Sequence, residues 1–216
     1  MAYPSDFLPM VDNTELLLRG ALFTLELTVI GAVLGLSIGS LGALVQARNL
    51  RPFAAIVGIY VELIRNTPFL MQLLCIFFGL PALGVPVSAW QAAVLAMAIN
   101  LGAHATHILH ESLQTIARPR VEALRPALGN AWPALSNQII IVMLGSSVCS
   151  LIATQELSYV AEIIQSRNAR AFETYALTAL MYLCMALMVR QLLNWLGQRL
   201  FSESTTTQCG SEPARD

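Results

Sequence analysis

Residues 117–138 read ARPRVEALRPALGNAWPALSNQ, a polar interruption that carries Arg118, Arg120, Glu122 and Arg125 among Pro119, Pro126 and Pro133. Apolar stretches adjoin it on both sides. A charge placed in hydrocarbon costs on the order of several kcal/mol, so this segment stays in water or rests against another protein. It is the expected handle for a soluble partner, and the stretches around it are the expected membrane spans.

Composition agrees with that division. Of 216 residues, 56% are hydrophobic and 12% charged, where a soluble domain carries about 25% charged residues. Runs near 20 apolar residues are long enough to cross a bilayer. The class is therefore all-α: a polytopic helical bundle with five transmembrane helices. Every fixed cation is an arginine, and no basic stripe marks a nucleic-acid footprint. Cys75, Cys149, Cys184 and Cys209 are scattered, so neither a disulfide framework nor metal spacing is read from them. The N-terminus is acidic and lacks the basic region of a cleavable signal.

Three regions follow: an external lead-in (1–19), a membrane domain (20–200) and a cytoplasmic tail of disordered composition (201–216). Spans are expected near 20–45, 69–80, 88–116, 133–154 and 174–196, with an amphipathic stretch at 52–65 and a polar loop at 155–173. Gly31, Gly35 and Gly39, four residues apart, lie on one face of the first span, where small residues let a second helix approach. Arg48, Arg51 and Arg65 fall between spans one and two, and Arg118, Arg120 and Arg125 between three and four. The positive-inside rule then puts the N-terminus outside and the C-terminus in the cytoplasm.

Several stretches resemble the membrane subunits of polar amino-acid ABC importers. Residues 20–28 (GALFTLELT) are similar to the opening of that family's first span. Residues 60–73 (YVELIRNTPFLMQL) resemble its second, with Asn66 where the family has glycine. Asn100-Leu101-Gly102-Ala103, Gln114-Thr115-Ile116, residues 133–138 (PALSNQ), Ser146-Ser147, Gln155-Glu156-Leu157 and Phe172-Glu173-Thr174-Tyr175 fit the remainder. The resemblance implies the type I importer permease fold in a bacterial inner membrane. It also implies a second permease subunit, two cytoplasmic ATPases, an external binding protein and an amino-acid substrate. Val121-Glu122-Ala123-Leu124 matches the start of the family's coupling motif, which docks on the ATPase; Arg118, Arg120, Glu122, Ala123 and Arg125 are the expected contacts. Beyond Leu124 this chain is shorter than the family pattern by roughly four helical turns.

Glu62, Arg65, Thr67 and Pro68 form a candidate gate. Pro68 breaks the helix, and Glu62 stands three residues before Arg65 on the same face. Gln72, Asn100, His104, His107, Ser146 and Ser147 are candidates for the translocation path or for hydrogen bonds between helices. The family often has Tyr and Glu at the positions of His104 and His107. His104, His107 and His110 also open a second reading, a membrane metal protein or ion carrier, although no His-Glu-x-x-His order is present. A third is a degenerate, non-transporting subunit. No catalytic residue, cofactor or bound metal is expected for the permease, since nothing resembles a phosphate-cradling loop.

Overall fold

A computed structural model describes residues 13–116 and 123–201. The lead-in residues 1–12, Arg118, Arg120, Glu122 and the tail from 202 lie outside the described residues. The helices are α1 (Thr14–Ala47), α2 (Phe53–Arg65), α3 (Phe69–Ala82), α4 (Ala89–Gln114), α5 (Leu124–Gly145), α6 (Leu157–Asn168) and α7 (Ala171–Phe201). A 3-10 turn, Ser146–Ile152, extends α5. Among the described residues there is no strand.

The bundle is built on α4. Its most apolar window is 72% buried, against 11% for that of α7, so α4 is the shared centre and α7 lies at the rim of the bundle. Ser88 and Gln91 start α4 with a reciprocal capping box, satisfying two amide donors that a helix leaves open. The side chain of α4 that meets α1 changes size along the contact: Met97 against Gly31, Leu101 against Gly35, Ala105 against Gly39 and Thr106 against Gly42. A Cβ on Gly35 would stand 2.7 Å from that of Leu101. The glycines thus carry the α1–α4 contact, as their spacing predicts. Thr24, Thr28, Thr106 and Thr178 return their hydroxyls to carbonyls one turn earlier, which removes a polar group from an apolar surface.

Three expectations are corrected. The second span is not the run 69–80 alone. α3 has 14 residues, about 21 Å of rise, and hydrocarbon is about 30 Å thick. By length and composition four helices are able to cross on their own, and α2 and α3, bent by 110°, reach a spanning length only as a pair. The polar interruption is also shorter than it reads. α5 begins at Leu124 and runs unbroken through Pro133. Pro126 falls in its first turn, where a missing N–H leaves no bond unmade, and Trp132 anchors it by donating its indole N–H to Leu193 O (2.8 Å) and packing on Gly197. Finally, the loop at 155–173 contains α6, whose Leu157, Ala161 and Ile164 are buried along one stripe.

Candidate functional site

The break between α2 and α3 is where polar groups gather. Pro68 leaves the helical region (ψ 139°) and begins α3 in a new direction. A broken helix frees backbone carbonyls that hydrocarbon cannot satisfy. Here Gln72, itself buried, closes the break: its Nε2 donates to Ile64 O and Thr67 O, both at 2.8 Å. Its Oε1 accepts from Asn100 Nδ2 at 3.1 Å. Tyr60 donates to Ile99 O at 2.6 Å. These bonds fix the break level with residues 99–100, midway along α4, and not at a span end. Arg65 therefore ends α2 at mid-bundle, exposed, within electrostatic reach of His104.

The remaining candidates take these places. Glu62 accepts Asn66 Nδ2 (2.8 Å) and, among the described residues, forms no ion pair with Arg65. The expected Glu62–Arg65 pair is thus replaced by a side-chain bond one turn on. Thr67 Oγ1 donates to Leu63 O. His107 Nε2 lies 3.4 Å from Glu111 on its own helix, and His110 meets Gln114. No group of three His, Cys, Asp or Glu able to hold a metal exists among the described residues, so the metal reading gains no support. Ser146, fully buried, donates to Met143 O, and Ser147 O accepts Ser150 Oγ. Of the coupling candidates, Ala123 is buried and Arg125 exposed at the start of α5. Residues 115–123 join α4 to α5, room for about two and a half helical turns.

A second polar node lies at Glu156, a residue that the sequence offers only as part of the family resemblance. Glu156 has no exposed surface. Its Oε2 accepts Ser158 N (2.9 Å) and Tyr182 Oη (2.5 Å), and its Oε1 accepts Tyr159 N (2.9 Å). Burial pushes its pKa above the ordinary carboxylate value, and the bonds from Tyr182, Ser158 and Tyr159 oppose that shift. The available signal was an acidic residue directly before a 157–161–164 apolar stripe, the mark of a helix start.

Comparison with known proteins decides the family. The L-cystine transport system permease protein TcyB of Bacillus subtilis (strain 168) is 31% identical over 165 residues, 69% of this chain and 70% of TcyB. The chain belongs to the amino-acid ABC transporter permeases. The probable glutamine ABC transporter permease protein GlnM of the same organism is 26% identical over 207 residues, 88% of this permease and 96% of GlnM. A crystal structure of an amino acid ABC transporter with histidines superposes with TM-score 0.82 at 33% identity, covering 92% of this permease and 100% of that chain. No family model matches. This permease is accordingly a multi-pass membrane protein.

Proposed function

We propose that this permease forms half of the path of an ATP-driven amino-acid importer, with the α2–α3 break as the point where the path is gated. The observation that carries this is the level of the break. An arginine at mid-bilayer is stable only where it faces water or a partner charge, and non-helical backbone is tolerated at that depth where it lines a cavity. Arg65, Thr67 and Pro68 would face the path, with His104 and His107 beside them and Glu62 bonded to Asn66. Gln72 and Asn100 hold the break, and Ser146 and Ser147 shape the end of α5. An amino acid carries a carboxylate that Arg65 would attract. The relatives' names concern glutamine and cystine.

The membrane domain is residues 20–200, with the lead-in outside and the tail in the cytoplasm of a bacterial inner membrane. A second permease, two cytoplasmic ATPases and an external binding protein complete the transporter. The ATPase would be met by Arg118, Arg120, Glu122 and Arg125, over a smaller surface than the family's docking helix offers, next to Ala123, which is buried before the first turn of α5. Alternating access then requires that the ATPases bind one state of the path better than the other.

Cysteine accessibility tests the path. In the assembled transporter, a membrane-impermeant thiol reagent should label Arg65→Cys but not Val33→Cys, which is exposed on the lipid side of α1. Protection of both sites would mean that the break does not open to water.

A further inference from the structure

One buried carboxyl is not used by the path. Glu156 lies between the 3-10 end of α5 and the external helix α6, and its three acceptor bonds join two different helices. Two are to the amides that open α6, and the third is to Tyr182 on α7. Ser158 Oγ and Tyr182 Oη are also 3.0 Å apart. The first residue of α6 is bound to α1 as well: Leu157 N donates to Thr24 Oγ1 at 3.2 Å. Gly20 allows this approach, since a Cβ there would lie 3.0 Å from Leu157 Cα. One residue of α6 thus binds α1, and its cap binds α7, with no water-exposed atom on the carboxyl.

We propose that Glu156 is a positioning residue for import: through Tyr182 it locks the external helix α6 to α7, beside the Leu157–Thr24 bond that holds α6 to α1, so that a binding protein landing on α6 moves those two spans with it. This rests on the importer reading. α6 presents Glu162, Ser166 and Arg167 outward, and with Tyr159 and Ile163 it borders a cavity of about 370 Å³ shared with Ser150, Leu151 and Ala153. A helix of 12 residues is marginal by itself, so its docking depends on such ties. A buried hydrogen bond to a carboxylate contributes enough to change a two-state population by about tenfold or more.

The test uses the full chain with Cys75, Cys149, Cys184 and Cys209 replaced by Ala, and spin labels at Glu162→Cys on α6 and at the exposed Leu183→Cys on α7. The parent should give one narrow distance distribution. Glu156→Ala and Tyr182→Phe should each add a second, longer population, raised about tenfold over the parent. In reconstituted transporter the same variants should raise the binding-protein concentration for half-maximal uptake by a similar factor while the maximal rate changes less. Tyr182→Phe removes one hydroxyl and decides the matter if Glu156→Ala is not recovered. Unaltered distances, or a loss confined to the maximal rate, overturn the proposal. The distance arm needs no uptake, so failure of the importer reading is seen separately as a parent that does not transport.

Discussion

Replacing Gln72 by Leu asks whether one amide holds the broken span together. The substitution keeps the bulk of a buried side chain and removes its polar end. Three bonds disappear: Nε2 to Ile64 O, Nε2 to Thr67 O, and Oε1 from Asn100 Nδ2. Hydrogen bonds within a membrane contribute about 0.6–2 kcal/mol each, so the loss of three should total about 2–6 kcal/mol. It falls below the upper limit if water enters the break. Unfolding in mixed micelles by titration with SDS measures the difference. Asn100→Leu alone should be destabilising because it strands Oε1 of Gln72. The double variant should lose less than the sum of the two, because each single change leaves the other amide unmatched. A Gln72→Leu variant within about 0.5 kcal/mol of the parent, with no coupling to Asn100, would refute the role of the clasp.

Two further outcomes are expected. Gly39→Ala should destabilise by about 1–3 kcal/mol, the usual cost of overpacking, because its methyl would strike Ala105 Cβ and close on backbone atoms at 3.1 Å. Gly79→Ala is the control: nothing lies within 4 Å, and alanine should stabilise α3 by about 0.5–1 kcal/mol; equal effects from the two, in the same micelle assay, would contradict the glycine contact. The third concerns pH. Folding raises the Glu156 pKa above 4.5, so the folded state holds that proton more tightly than the unfolded state. The resulting stability is fully present below 4.5 and is lost as pH rises through the folded value. The groups facing it are Tyr182 from α7 and Cys149 from the 3-10 turn. The midpoint of thermal unfolding in detergent should fall across that rise, and Glu156→Gln should flatten the slope; identical slopes would show that another group is responsible.

Much of this fold was legible because hydrophobic length is a strong signal. The spans built on α1, α4 and α7 are legible to within six residues at each end, and the glycine face of α1 announces its partner contact. What misled was local chemistry read without neighbours. Residues 124–132 read as part of a polar interruption ending in a span at Pro133, but Pro126 falls in a first turn and Pro133 inside a helix anchored by Trp132 on α7. Arg65 reads with Arg48 and Arg51 as lying between spans one and two, and only the Gln72–Asn100 and Tyr60–Ile99 bonds reveal its depth. Those bonds join residues 28 and 39 positions apart, a separation that no periodicity encodes. The same holds for Glu156, whose partner Tyr182 lies 26 positions on, and for Leu157, whose amide meets Thr24 133 positions back.

Uptake is the most direct measurement. Proteoliposomes holding this permease with its partner permease, ATPases and binding protein should accumulate an amino acid when ATP is supplied. Accumulation should fall at least tenfold with Gln72→Leu, if loss of the clasp carries 1.4 kcal/mol or more into the transport step. Correctly inserted permease that binds its ATPase yet moves no amino acid under ATP would contradict a working path through the broken span.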